Sequence, residues 1–204
     1  MKLYLLRHGR TAWNAAGKLQ GRTDIPLNEE GRRAARETGE MLAAVPFAAA
    51  FSSPLRRAVE TAELILRGRD LPVRTDARLI ELSFGSAEGK RLADLNLPED
   101  PIRVLFSAPE RYVPPEGGER YDRLLARCRS FLEEELLPHE KEWEHVLLVA
   151  HGGVVRGMFS AMFGRDAGRL YGGRVQKNCA VNVIGCTGGV FSLEKGAGAY
   201  CDGL

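Results

Sequence analysis

The stretch that decides the fold is KLYLLRHGRTAWN, residues 2–14, in which an apolar run ends in Arg7, His8 and a glycine. A second stretch, HVLLVAHGGVVRG at residues 145–157, has the same form, since its apolar run ends in His151 and two glycines. Short apolar runs bounded by polar residues and glycine are typical of buried β-strands. The sequence therefore predicts two buried strands, each of which brings a histidine and then a glycine to its carboxyl end.

Strand-like and helix-like segments alternate along the rest of the chain. The predicted strands are residues 1–7, 47–53, 72–82 and 145–151, and the predicted helices are residues 27–45, 54–68, 119–143 and 153–164. This alternation predicts an α/β fold, a three-layer α/β/α sandwich with helices on both faces of the sheet. Residues 178–186 and 189–195 predict a closing hairpin that makes the sheet mixed but mostly parallel. We expect a single domain over residues 1–204, with short helices and loops at 85–118 forming a lid or insertion.

Composition and charge exclude several classes of protein. Hydrophobic residues make up 44% and charged residues 27% of the chain, as in ordinary globular domains. No segment reaches the ~18 consecutive apolar residues of a membrane helix, and a net charge of +2 is too small to indicate a nucleic-acid partner. The start of the chain lacks the apolar core of a signal peptide, which predicts a cytoplasmic protein. The four cysteines form no CxxC pair, so we expect reduced thiols and no structural zinc.

Polar side chains follow the predicted parallel strands, at the edge where such sheets bind ligands. These side chains are Arg7, His8, Arg56, Arg57, Glu81 and His151. Arginine binds phosphate oxygens with paired hydrogen bonds, and the helix that begins near Gly152 offers free N–H groups and partial positive charge to an anion. Fixed cations also stabilise a phosphoryl group in transfer. The pattern therefore predicts a site for a phosphate ester.

The same residue types predict a reaction. A neutral imidazole is a capable nucleophile near neutral pH, because its ordinary pKa is about 6.5. The leaving alkoxide then needs a proton, and Glu81 is the candidate acid that could later act as a base towards water. Zinc bound by the two histidines is disfavoured, since Arg7 and Arg57 would repel a dication and carboxylate ligands are lacking. We therefore predict no metal site.

Four segments, in order along the chain, resemble the histidine phosphatase superfamily of phosphoglycerate-mutase-like proteins. They are LLRHGRTAWN (5–14), SSPLRRAVET (52–61), RLIELSFGSAEG (78–89) and VAHGGVVR (149–156). The resemblance implies the family's α/β sandwich, which agrees with the pattern of elements above. It also implies a phosphorylated nucleophile at His8, phosphoryl binding by Arg7, Arg57 and His151, help from Asn14, a nearby Gln20, and proton donation by Glu81.

Three features bear on specificity within this resemblance. Arg10 stands where relatives often carry an acidic residue. Ser86-Ala87 stands where relatives often carry an acidic residue and a tryptophan, so we expect a smaller wall of the cavity at Ser86-Ala87. The element PPEGGERYD (114–122) resembles one in related phosphatases. Its Glu119 is expected either to turn towards the mouth of the site or to cap the long helix.

The resemblance leaves several activities open. We favour a phosphatase over a cofactor-dependent phosphoglycerate mutase, because the chain is short and ends in the glycine-rich GAGAYCDGL (196–204). The PPEGGE and KNCAVN elements look like those of α-ribazole phosphatases, which makes α-ribazole phosphate a candidate among small phosphorylated metabolites. A catalytically inactive module that binds phosphorylated ligands is the alternative of another class. We expect no cofactor, no nucleic acid and no membrane, and leave a homodimer open.

Overall fold

A computed structural model describes residues 1–95, 100–164 and 176–195 of the 204-residue chain. In these ranges six strands form one sheet, namely β1 (Lys2–Arg7), β2 (Ala49–Ser52), β3 (Val73–Thr75), β4 (His145–Ala150), β5 (Val181–Thr187) and β6 (Val190–Lys195). The strand order is β3-β2-β4-β1-β5-β6. The first four strands run parallel, whereas β5 and β6 are antiparallel to their neighbours. The predicted mixed, mostly parallel sheet with an antiparallel hairpin at its edge is confirmed.

Six α-helices accompany the sheet in the described part of the chain. They are α1 (Ala12–Ala15), α2 (Glu29–Met41), α3 (Arg56–Ile65), α4 (Pro101–Ser107), α5 (Tyr121–Phe131) and α6 (Gly152–Phe163). Helix α2 is capped by Asn28, whose side chain accepts a hydrogen bond from the Gly31 N–H at 2.8 Å. Two acidic residues in its first turn complement the helix dipole.

Alternate side chains of β1 enter two separate cores, because successive residues of a strand point to opposite faces. Leu3 and Leu5 pack in one core with buried side chains of α5 and α6. Tyr4 and Leu6 pack in the other with side chains of α3 and with Leu42, which follows α2. The sheet is therefore the middle layer of the predicted α/β/α sandwich.

The predicted strand at residues 72–82 is mostly wrong. Only Val73–Thr75 pairs with β2, and the chain then turns into a 3-10 helix at Ala77–Leu79. Asp76 causes the change, since its carboxylate accepts the Arg78 N–H at 2.7 Å and caps the turn. This turn leads the chain to Glu81 outside any strand.

The long helix predicted at 119–143 is shorter than expected. The α-helical part ends at Phe131 and continues as a π-helical turn, Leu132–Leu136, and a 3-10 turn, Leu137–His139. Pro138 lies in the last of these turns. Proline has no N–H to continue the α-helical pattern.

Residues 85–118 contain 3-10 helices at Gly85–Ala87, Leu92–Asp94 and Pro109–Arg111, together with α4. Residues 96–99 of this segment, and the glycine-rich 196–204, lie outside the described residues. Cys128, Cys179 and Cys186 are free and buried, while Cys201 lies beyond the described part. Within the described ranges, no helix has both the length and the apolar character needed to span a membrane.

Candidate active site

The two histidines meet because of the register between β1 and β4. Arg7 is paired with Ala150, so the next residues, His8 and His151, leave adjacent parallel strands side by side. The His8 N–H donates to the Ala150 carbonyl at 2.9 Å, which extends the pairing by one residue. The centroids of the two imidazole rings are 5.1 Å apart. Both side chains are buried, so the structure brings the two predicted imidazoles together in one protected place.

His8 has one ring nitrogen fixed and one left for chemistry. Its Nδ1 lies 2.7 Å from the carbonyl oxygen of Gly9. A carbonyl oxygen can only accept, so Nδ1 carries the proton and Nε2 keeps its lone pair. Burial, together with the positive charges of Arg57 and Arg7, holds the pKa of His8 well below its ordinary value. The ring is therefore neutral at physiological pH, in the tautomer that a nucleophile needs.

His151 is oriented by a hydroxyl group from the neighbouring strand. Its Nε2 lies 2.7 Å from Ser53 Oγ, which also accepts the Leu55 N–H at 3.3 Å. Burial and the charges of Arg57 and other neighbours hold the pKa of His151 well below its ordinary value, so this ring too is neutral. In the tautomer in which the Ser53 hydroxyl donates to Nε2, the proton of the ring sits on Nδ1. That buried Nδ1 has no hydrogen-bond partner among the described residues, and it can donate to a ligand oxygen.

The two predicted phosphate-binding arginines are held by main-chain carbonyl groups. Arg7, the last residue of β1, donates from Nη1 to the carbonyl of Gln176 at 2.6 Å. Arg57, in the first turn of α3, donates to the carbonyls of Gly21 at 2.7 Å and Thr23 at 2.8 Å. Its side chain is wholly buried, and this burial lowers the pKa of Arg57 to about 10. The guanidinium therefore stays charged at neutral pH and has a fixed direction.

Glu81 lies against the start of α6. Its Oε1 accepts the Leu82 N–H at 2.8 Å, and its Oε2 accepts the Gly153 N–H at 3.1 Å. A side chain at position 153 would obstruct this contact, because a Cβ there would lie 2.5 Å from Glu81 Oε1. The glycine after Gly152 thus lets a buried carboxylate approach the N-terminus of the helix.

The remaining predicted residues surround the same space. Asn14 Oδ1 accepts the Thr11 N–H at 3.1 Å, and the Thr11 hydroxyl lies 2.9 Å from Gln20 Oε1. Thr11 therefore fixes the orientation of both amides. Gly152, the first residue of α6, also faces this space.

These residues line a cavity of about 700 Å³. The predicted site residues on its wall are Arg7, His8, Asn14, Gln20, Arg57, Glu81 and Gly152, and the nearby His151 is wholly buried. Apolar lining comes from Leu19, Leu82, Phe84, Leu92, Leu105, Leu124 and Val155. The described residues contain no group of three or more histidine, cysteine or acidic side chains arranged to hold a metal ion.

The residues expected to tune specificity occupy different places. Arg10 lines the cavity and is paired with Glu30, with its Nη1 2.8 and 2.7 Å from the two carboxylate oxygens. Neither Ser86 nor Ala87 is among the residues that line the cavity, and Ala87 is buried in the core. Glu119 does not cap α5, whose N-cap is Arg120, and it is not an isolated carboxylate at the mouth of the cavity. Its carboxylate is paired with Arg127 at 3.0 Å and Arg22 at 3.2 Å.

Sequence reasoning missed three residues that hold the site in place. Ser53 orients His151, Glu88 accepts N–H groups of the loop that holds Arg57, and Asn178 donates to the carbonyl of His8 at 2.8 Å. All three lie inside or beside recognised segments. No local pattern reveals their roles, since each acts on a residue distant in the sequence.

Comparison with known proteins gives a consistent assignment. The family model of the histidine phosphatase superfamily (branch 1) matches residues 3–197. A 2,3-bisphosphoglycerate-dependent phosphoglycerate mutase from Gloeobacter violaceus is 36% identical over 76% of this chain and 72% of its own length. An adenosylcobalamin/alpha-ribazole phosphatase from Salmonella typhimurium is 30% identical over 92% of each chain.

A solved structure of a mycobacterial glucosyl-3-phosphoglycerate phosphatase, in complex with VO3, superimposes with a TM-score of 0.85 at 30% identity, covering 97% of this chain and 99% of that one. The structural superposition and the family model each cover nearly the whole chain, and both indicate the same family. The chain belongs to the histidine phosphatase superfamily.

Proposed function

We propose that this chain hydrolyses phosphomonoesters through a phosphohistidine formed at Nε2 of His8. The observation that carries the proposal is the state of the His8 ring, which is neutral, protonated at Nδ1 by its contact with the Gly9 carbonyl, and part of the cavity wall. The charges of Arg7 and Arg57 act on the same ring. A nucleophile and two guanidinium groups beside it are what phosphoryl transfer requires.

In the first step the phosphoryl oxygens bind to Arg7, Arg57 and the Nδ1–H of His151. The lone pair of His8 Nε2 forms a bond to phosphorus, and the bond from phosphorus to the ester oxygen breaks. In this proposal Glu81 enters the cycle as the carboxylic acid and gives its proton to the leaving oxygen, so an alcohol departs and Glu81 becomes a carboxylate. The Gly9 carbonyl stabilises the positive charge that develops on the ring, since it already accepts the Nδ1–H.

In the second step water attacks the phosphorus atom of the phosphohistidine. The carboxylate of Glu81 takes a proton from that water, and the bond from phosphorus to Nε2 breaks. Inorganic phosphate leaves, Glu81 is again protonated, and His8 returns to its neutral tautomer. The cycle needs no cofactor, because Arg7, Arg57 and His151 supply the charge and hydrogen bonds that a metal ion supplies in other phosphoryl transfers.

The substrate in this proposal is a small phosphorylated metabolite. A cavity of about 700 Å³ with an apolar wall accommodates an organic group larger than the phosphoryl group itself. The similarity to an alpha-ribazole phosphatase over 92% of each chain supports α-ribazole phosphate as the first specific candidate.

A phosphoglycerate mutase is the second candidate, favoured by the 36% identity to a relative of that name. The two activities differ in what accepts the phosphoryl group from His8, which is water in a phosphatase and the bound product in a mutase. Incubation with 3-phosphoglycerate and 2,3-bisphosphoglycerate separates them. A phosphatase releases inorganic phosphate, whereas a mutase forms 2-phosphoglycerate.

The test of the proposal is turnover of p-nitrophenyl phosphate in the presence of EDTA. We expect the wild-type protein to remain active in the chelator and His8→Ala to be inactive while still folded. Loss of activity in EDTA that added metal restores would contradict the metal-free mechanism. A folded wild-type protein that binds inorganic phosphate but turns over no member of a substrate panel would instead be an inactive binding module.

A further inference from the structure

Arg57 is a buried cation whose hydrogen bonds go to neutral groups. Both of its terminal nitrogens donate to main-chain carbonyls, those of Gly21 and Thr23. A buried charge is costly unless opposite charge compensates it. A carboxylate in direct contact would supply that compensation but would compete with a phosphoryl ligand for the same guanidinium. The loop at residues 20–24 therefore has to compensate the charge without blocking it.

Glu88 lies on the other side of this loop and accepts four hydrogen bonds. Its Oε1 accepts the Arg22 N–H at 3.0 Å and the Phe84 N–H at 3.1 Å. Its Oε2 accepts the Thr23 N–H at 2.9 Å and the Thr23 hydroxyl at 2.5 Å. The carboxylate is thus fixed by donors from the loop and from its own segment, and none of these donors is a charged side chain.

One peptide group joins the two charges. The carbonyl of Gly21 and the N–H of Arg22 belong to the same peptide unit, and the first accepts from Arg57 while the second donates to Glu88. Hydrogen bonds in such a chain polarise one another. Gly21 has a φ of +54°, and a Cβ there would lie 2.0 Å from Glu88 Oε1, so the glycine permits the close approach.

We propose that Glu88 is a positioning residue for phosphate binding, which acts on Arg57 through the Gly21–Arg22 peptide. Glu88 orients the Gly21 carbonyl, one of the two that hold the guanidinium, and its negative charge compensates the positive charge of Arg57 from the far side of the loop. The side of Arg57 that faces the cavity is thereby left for the phosphoryl group. The inference rests on the proposed function only in taking a phosphoryl group as the ligand of Arg57.

Other charged groups also shift the pKa of Arg57 and therefore contribute to the pH dependence of phosphate binding. Burial lowers the pKa of Arg57, the positive charge of Arg7 lowers it further, and Glu81, Asp24 and Glu88 raise it. Glu81 accepts from Gly153 and Asp24 accepts from the Arg56 N–H, so neither shares the peptide contact of Glu88. The neutral rings of His8 and His151 lie beside the same guanidinium.

The test compares Glu88→Gln with Glu119→Gln in the full chain. Glu119 is a matched control, because it is also a half-buried carboxylate that contacts Arg22, but through the side chain of Arg22 rather than its N–H. The probe is inorganic phosphate, measured as a competitive inhibitor and by the rise in melting temperature that it causes. We expect phosphate affinity to fall about tenfold in Glu88→Gln, the lower end of the loss in affinity that removing a hydrogen-bond partner of a metal ligand causes, and to change less than threefold in Glu119→Gln.

The pH dependence separates positioning from general loss of structure. Loss of the negative charge at Glu88 lowers the pKa of Arg57, so the alkaline limb of phosphate binding should move to lower pH in Glu88→Gln and stay in place in Glu119→Gln. If Glu88→Gln does not fold, Glu88→Asp keeps the charge but withdraws it from the peptide. Phosphate should then bind Glu88→Asp more weakly than it binds Glu119→Gln.

Equal phosphate affinities for the Glu88 variant and the Glu119 control, or an unmoved alkaline limb in Glu88→Gln, would overturn the inference. Turnover is measured separately with p-nitrophenyl phosphate. A wild-type protein that binds phosphate without turnover would refute the proposed phosphatase and leave the comparison of Glu88 with Glu119 valid.

Discussion

Replacing Gly153 with alanine tests how closely the reaction depends on the position of Glu81. The new Cβ would lie 2.5 Å from Glu81 Oε1, so the oxygen must retreat by about 0.9 Å to reach 3.4 Å, the near limit of ordinary contact. The obstructing atom is the end of a side chain rather than main chain, so the carboxylate moves and the backbone of α6 stays.

A displacement of about 1 Å at a reacting group can cost about 10²-fold in rate. We therefore expect kcat/KM for an alkyl phosphate to fall about 10²-fold in Gly153→Ala. Alanine stabilises a helix relative to glycine by about as much as one weakened hydrogen bond costs, so the two effects offset each other. The free energy of unfolding should therefore change by less than about 1 kcal/mol.

The assay compares two leaving groups. Nitrophenolate hardly needs a proton, so turnover of p-nitrophenyl phosphate should fall less than about tenfold in the same variant. Glu81→Gln serves as the reference, and the double variant should be no slower than Glu81→Gln alone, since both changes act on one group. Equal losses on the two substrates, or a double variant slowed by the product of the single effects, would refute the reasoning.

Three further predictions follow from the contacts of the site. Ser53→Ala removes the hydrogen-bond partner of His151 Nε2, and kcat should fall about tenfold with the free energy of unfolding lowered by about 1 kcal/mol, as checked by steady-state kinetics and urea unfolding. Arg57→Lys cannot keep both carbonyl contacts and still present a planar fork, so the inhibition constant of inorganic phosphate should rise at least about tenfold. Because the folded-state pKa values of His8 and His151 are depressed, their contribution to stability is complete above the ordinary value of about 6.5 and is lost as pH falls below it. Urea midpoints from pH 7.5 to 5 should fall less in a His8→Asn variant, and identical pH profiles would contradict this.

Much of the fold could be predicted because it depends on local patterns. The apolar strand runs, the glycines after the histidines and the Asn28 cap are all visible in the sequence. Two predicted elements, the strand at 72–82 and the helix at 119–143, are longer than the observed ones. Asp76 caps a turn inside the predicted strand, and the chain leaves α-helical geometry after Phe131.

The candidate site was accessible from sequence for a different reason. Parallel strands bring their carboxyl ends to one edge, so the residues after β1 and β4 had to meet if those strands were neighbours. The contacts that set the chemistry within the site are tertiary and leave no local signal. The Ser53 hydroxyl contacts His151, which is 98 positions away in the sequence. The Glu88 carboxylate acts on Arg57, which is 31 positions away, through the intervening loop at residues 20–24.

The proposed nucleophile is tested most directly by identifying the residue that carries the phosphoryl group during turnover. The protein is mixed with p-nitrophenyl phosphate, quenched within one turnover in alkali, where phosphohistidine survives, digested and analysed by mass spectrometry. We expect one added phosphoryl group on the peptide that contains His8, and none on the corresponding peptide of His8→Ala. A phosphoryl group on any other residue, or turnover without a phosphorylated His8 at any quench time, would contradict it.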